Sequence, residues 1–225
     1  MPSDAPRLKL ERTKTMGAKV VPYDRNTEDR EAIAKGLCAE TGATFVHPFN
    51  DAGIVAGQGT AGLELCEFAE ENGIKLEGIL TGASGGGLCG GVAVAAAEKF
   101  PECSLFTVEP EGFDDYARSL ASGEYQTNTR TGGSVCDALL STFPGEIGLG
   151  ILRERKARGL VVTDTEALAA VAFAFLELKL VTEPGGVVGL AALLQKKLPA
   201  EIGPVGVILS GGNIDPAMMA KALSL

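Results

Sequence analysis

Apolar residues along the chain alternate between short runs and helical spacing. Ser3 can cap a first helix with Pro6 in its opening turn and Gly17 at its end, and residues 18–23, AKVVPY, then read as a short strand. Thr27 is the expected N-cap of a helix over residues 28–40, where Ile33 and Leu37 share a face, and Thr44-Phe45-Val46 suggests another strand. A helix over 57–71, a strand over 76–80, a helix over 88–99 and a strand over 104–108 follow. Residues 109–150 are rich in turn formers. Thr163 and Glu166 form a capping box for a helix expected to turn Leu168, Val171, Ala172, Phe175 and Leu178 inward. The series closes with a helix over 187–197 and a strand over 205–209.

Strands alternating with crossover-length helices imply an α/β protein, with a mostly parallel twisted sheet flanked by helices on both faces. The expected boundary lies near His47-Pro48-Phe49-Asn50, which separates residues 1–48 from a longer unit over 49–225.

Composition narrows the class. With 45% hydrophobic and 22% charged residues the chain is too apolar for disorder, yet no window approaches the ~18 apolar residues of a membrane span. The start shows no leader pattern, which points to the cytoplasm. The five cysteines are odd in number and form no CxxC pair, so they read as reduced core filler. A net charge of −9 argues against nucleic-acid and anionic-membrane partners, and the longest basic run is Lys196-Lys197. Any anion must be held by local backbone dipoles.

Candidate chemistry centres on TGASGGGLCGG, residues 81–91. A glycine-rich turn between a strand and a helix lets a ligand reach the backbone, and the helix N-terminus favours an anion there. Phosphate is the natural guest, with Ser84 as an added hydroxyl donor. The same glycines could instead make a tight turn and close packing, but packing alone seldom needs three in a row. Gly85-x-Gly87-x-x-Gly90 also satisfies a dinucleotide fingerprint, with Glu109 in range of an acidic ribose partner.

Ser210-Gly211-Gly212-Asn213 follows the last strand, so both glycine clusters fall on one edge of the sheet, where open α/β folds bind ligands. Glu183, in a Glu-Pro-Gly-Gly break, could face the same crevice or cap the next helix. Glu109, Glu111, Asp114 and Asp115 offer oxygen ligands for a hard cation, or simply a solvated turn. His47, the single histidine, has no nucleophile partner nearby and reads as structural.

Taken in order, MPSDAP with KLERTKTMGAKVV, AGQGTAGLEL (56–65), the SGGGL loop, VEPEGFDD (108–115), LKLVTEPGG (178–186) and LSGGN (209–213) resemble the pyridoxal-phosphate-dependent serine/threonine dehydratases and serine racemases. The resemblance runs nearly end to end and displaces the dinucleotide reading.

It implies the tryptophan-synthase-β-like fold (fold type II), with Ser84, Gly85, Gly86, Gly87 and Leu88 cradling the phosphate of pyridoxal 5'-phosphate. It also places Ser210 at the pyridine nitrogen and Glu183 near the ring, and puts a divalent cation such as Mg²⁺ on Glu109, the Phe113 carbonyl and Asp115. The implied activity is a lyase reaction, β-elimination of ammonia from L-threonine or L-serine, with serine racemisation and a non-catalytic phosphate-binding or partner subunit as alternatives, and a nicotinamide-dinucleotide oxidoreductase as a remote one.

MPSDAP matches a point about a third of the way into a full-length relative. The Schiff-base lysine of the family is therefore expected to be missing, residues 1–48 to be the remnant of a small domain, and the chain to be inactive alone. Partners implied are a small hydroxy amino acid and either a second copy or a complementing N-terminal chain.

Overall fold

The computed structural model describes residues 1–225. Its centre is a four-stranded, all-parallel sheet built from β1 (Gly78–Gly82), β2 (Ser104–Pro110), β3 (Arg158–Val162) and β4 (Val205–Val207), in the spatial order β3-β2-β1-β4. Side chains alternate across it as strand geometry requires. Ile79 and Leu105 enter one apolar cluster with Cys66, Val92, Tyr116, Leu149 and Leu152, while Leu80 and Phe106 enter the other with Val162, Leu168, Val171 and Val187.

The first cluster is covered by α3 (Ala52–Glu71), α4 (Gly87–Lys99) and α6 (Glu146–Glu154), and the second by α7 (Asp164–Leu176), α8 (Val188–Leu194) and α9 (Pro216–Leu223). α5 (Asp115–Ser122) follows β2. Gly91 faces the backbone of Val55 and Gly59, so it closes a helix–helix contact between α4 and α3 where a side chain would collide. α1 (Arg7–Thr15) and α2 (Arg30–Thr41) precede this body, and neither contains a fully buried residue.

Several expectations are corrected. Residues 18–23 form no ladder beyond a single Pro2–Tyr23 bridge, and residues 44–46 form no strand, because no neighbouring strand satisfies their backbone groups. α2 begins later than expected and is capped by Asp29, whose carboxylate accepts from the amides of Glu31 and Ala32. α3 begins earlier, capped by Asp51. α5, α6 and β3 occupy stretches that turn formers had marked as irregular or that carry no clear period.

The capping box of α7 forms as expected, but its inward face is Ala167, Leu168, Ala170, Val171 and Ala174. Phe175 and Leu178 are 39% and 45% exposed, since Phe175 lies off the buried face of the helix and Leu178 lies beyond its end at Leu176.

Candidate active site

The sheet delivers both glycine clusters to the carboxyl ends of β1 and β4, which are paired in parallel. Between them lies a cavity of about 760 Å³. One wall is the turn Ser84–Leu88, and another carries Glu183 and Ser210. Pro48-Phe49 and the segment Asp137–Phe143 contribute further lining, as do residues around Arg25–Glu31.

The loop has a specific hydrogen-bond asymmetry. The Gly85 carbonyl accepts from the Gly145 amide at 2.9 Å and from the Tyr116 hydroxyl at 3.2 Å, and the Gly86 carbonyl accepts from the Gly90 amide at 2.9 Å. The amides of Ser84, Gly85, Gly86, Gly87 and Leu88, by contrast, donate to no atom of the protein. Gly85, Gly86 and Gly87 are nevertheless buried. Buried donors without partners are rare, so this row of N–H groups at the start of α4 is built for an anion brought by a ligand.

Gly86 makes the turn possible. Its φ of +92° is left-handed, and a Cβ there would strike the Tyr116 hydroxyl. The Ser84 hydroxyl accepts from the Ser141 amide at 3.1 Å, which leaves its own proton free for the cavity.

Glu183 is 7% exposed, and its carboxylate forms an ion pair with Lys9 at 2.6 Å. Lys9 also meets Asp137 at 2.8 Å. Burial opposes the charge on Lys9, but hydrogen bonds and charge from Asp137 and Glu183 outweigh it and raise its pKa. Neither Lys9 nor Asp137 stood out in the sequence: a lysine in a polar first helix looks solvated until the fold brings two acids to it. No lysine lines the cavity.

Glu109 and Asp115 are 0% and 1% exposed. Glu109 accepts from the amides of Tyr116 (3.0 Å) and Ala117 (2.8 Å), and Asp115 Oδ1 accepts from Asn128 Nδ2 at 2.6 Å. Burial, reinforced by the charge of Asp115, pushes Glu109 well above the usual carboxylate range, and burial pushes Asp115 up to about 6. Asp115 Oδ2 has no partner. No third His, Cys, Asp or Glu joins this pair as a metal cluster. Because Glu109 is fully enclosed and lies off the cavity, it cannot serve a ribose, and the dinucleotide reading fails on that geometry.

His47 is engaged in a local network: its Nδ1 accepts from the amides of Phe49 and Asn50, and its Nε2 meets Glu31 at 3.2 Å. Thus Phe49, which packs against Gly85 and Gly87, is held by a short local network. The four buried cysteines, Cys66, Cys89, Cys103 and Cys136, are free thiols, as is the half-buried Cys38.

A free row of amides at a helix start, on the edge of a parallel sheet where ligands bind, is an arrangement suited to an anionic group. Residues 1–211 match the family described as pyridoxal-phosphate dependent enzyme, and the chain belongs to it. It is 37% identical over 223 residues to an L-threo-3-hydroxyaspartate ammonia-lyase of Pseudomonas sp, covering 99% of this chain and 68% of that one. It is 36% identical over 228 residues to a serine racemase of Oryza sativa subsp. indica, covering 99% of this chain and 66% of the relative.

The solved structure of maize serine racemase superposes with a TM-score of 0.87 at 34% identity, over 99% of this chain and 68% of that one. The fold is therefore that of the type II pyridoxal-phosphate enzymes, and the chain spans about two thirds of the length of these relatives. No helix is long and apolar enough to cross a membrane.

Proposed function

We propose that this chain forms the cofactor-binding part of an ammonia-lyase that eliminates the β-hydroxyl of L-threonine or L-serine, releasing a 2-oxo acid and ammonia. The observation that carries the reading is the row of unpartnered amides from Ser84 to Leu88. These amides and the α4 dipole would hold the phosphate of pyridoxal phosphate, with the Ser84 hydroxyl beside them. When bound, the cofactor supplies an electron sink for the carbanion.

Ser210 lines the cavity and would face the pyridine nitrogen; as a neutral donor and acceptor it leaves that nitrogen less charged than a carboxylate would, which favours elimination. Glu183 would stand near the ring. The lysine that would hold the cofactor's aldehyde is assigned outside residues 1–225, because none of this chain's lysines lines the cavity. Residues 1–48 are proposed as the remnant of a small domain, and residues 49–225 as the large cofactor-binding domain.

The test pairs binding with turnover. Equilibrium dialysis of the purified chain should show pyridoxal phosphate displaced by inorganic phosphate and weakened by Ser84→Asp, which keeps an acceptor for the Ser141 amide but adds a negative charge. A chain supplying the residues common to the relatives but not matched here should then restore 2-oxo acid release from L-threonine, L-serine or L-threo-3-hydroxyaspartate. Cofactor binding indifferent to Ser84→Asp and to phosphate would sink the reading.

A divalent cation such as Mg²⁺ on Glu109, Asp115 and the Phe113 carbonyl is proposed separately, on the strength of the unpartnered Asp115 Oδ2 and the burial of both acids. Calorimetry with Mg²⁺ on the wild type and Asp115→Ala tests it. A homodimer or a complementing chain is proposed to cover the exposed apolar run Leu176, Leu178, Leu180 and Val181, and light scattering would report the mass of either assembly.

A further inference from the structure

Glu183 combines a position on the cavity wall with almost complete burial, and its side-chain oxygens accept no hydrogen bond from the loops around them. One of those oxygens lies where a Cβ on Gly211 would be, so the carboxylate is packed tightly against the SGGN loop and fits only because that residue is glycine. The Glu183 amide donates to the Gly211 carbonyl at 2.9 Å, and the Ser210 amide donates to the Gly186 carbonyl at 3.1 Å. The Glu-Pro-Gly-Gly turn and the SGGN loop are thus one stitched unit, and this unit carries both residues at the ring end of the cavity. An unpaired carboxylate in such a place is costly.

The cation that answers it comes from another part of the chain. Lys9, on α1, reaches Glu183 at 2.6 Å and Asp137 at 2.8 Å, and both acids line the cavity while the lysine lies behind them. Three residues further along the same helix, Arg12 Nη1 donates to Asn213 Oδ1 at 3.1 Å, in the SGGN loop. Residues three apart share a helix face, so α1 presents one basic edge to the stitched unit. Arg12 is exposed and contributes little by itself; Lys9 is half-buried and holds two acids at once.

We propose that Lys9 is a positioning residue: it fixes the Glu183 carboxylate at the ring end of the cavity and couples α1 to the wall that carries Ser210. This role rests on the pyridoxal-phosphate reading of the cavity. It assigns no bond-making step to Lys9, whose ammonium is occupied by two carboxylates and stays protonated.

The experiment compares Lys9→Met and Lys9→Arg with the wild type. Pyridoxal phosphate affinity should fall about tenfold or more in Lys9→Met, because breaking a buried pair from one side leaves an uncompensated charge, and Lys9→Arg should recover most of it. Rescue by arginine, which restores the charge, but not by methionine, which keeps only the bulk, separates positioning from mere packing. The groups facing Glu183 are Lys9 and, through it, Asp137, with the nearby Cys136 thiol neutral because burial pushes it up to about 12.

Amide hydrogen exchange without ligand supplies an independent readout. In Lys9→Met, residues 183–186 and 210–213 should exchange faster while α4 is unchanged. Unchanged exchange in both segments would overturn the proposal, as would acceleration spread through the whole sheet. If the wild type fails to bind pyridoxal phosphate, the cofactor reading falls, and the exchange measurement still decides for or against Lys9.

Discussion

The Tyr116 hydroxyl, buried beneath the glycine loop, donates to the Gly85 carbonyl at 3.2 Å and lies 3.4 Å from that of Gly145. It holds the loop through a carbonyl, while the loop's amides have no protein partner. Burial drives this phenol's pKa far above its ordinary value, so it stays a donor at every working pH. Tyr116→Phe should therefore cost about 0.5–1.5 kcal/mol, the range for losing one hydrogen bond while the Gly145 amide still satisfies the Gly85 carbonyl, and should weaken phosphate-competitive cofactor binding. Denaturant titration and dialysis measure the two effects, and an unaltered affinity would show that the loop keeps its shape unaided.

Gly86→Ala tests the turn itself. The substitution forces a side chain into a left-handed backbone and against the Tyr116 hydroxyl. A loss of about 1–3 kcal/mol is expected from the strain alone, with cofactor binding abolished before the fold is lost. A circular-dichroism melt beside a binding titration distinguishes these two consequences.

The buried acids predict a stability that depends on pH. Asp115 titrates near 6 in the folded chain, above its unfolded value, so the folded state binds the proton more tightly. Stability without added cation should be highest in acid and should fall as pH rises from about 4 through 6. Asp115→Asn, with an amide in place of the titrating oxygen, should gain on the order of 1–3 kcal/mol above that range and nothing below it. Thermal melts across pH check the sign, and Mg²⁺ should raise the wild-type curve only.

Away from the cavity, the α7 cap gives a control. Thr163 accepts from the Glu166 amide, while Glu166 accepts from the Thr163 amide and from Lys197 at 2.7 Å. Burial opposes it, yet Lys197 and the Thr163 amide lower the Glu166 pKa, so this contribution is present above the unfolded pKa and fades as pH falls through the folded one. Thr163→Ala should cost about 1 kcal/mol in unfolding experiments and leave pyridoxal phosphate binding untouched.

Much of this architecture was readable from local pattern. The strand-loop-helix order around residues 78–99, the α7 capping box and the convergence of Ser84–Leu88 with Ser210 all rest on short-range rules: helical spacing, cap chemistry and the edge on which parallel strands end. The same rules misjudged residues 18–23 and 44–46, because an apolar run becomes a strand only if a neighbour accepts its hydrogen bonds. They also passed over α5 and α6, whose inward residues are set by the sheet they pack on rather than by a strong period of their own.

By itself the sequence determined where bare backbone meets the start of a helix, since three adjacent glycines between a strand and a helix open the chain to close approach. Only the tertiary structure decided how that stretch is used. It turned the loop's carbonyls toward Gly145 and Tyr116, enclosed Glu109 with Asp115, and brought Lys9 against Asp137 and Glu183 from 128 residues away in the first case. Ion pairs and buried donors depend on what lies opposite in space, and a one-dimensional pattern carries no record of that opposition.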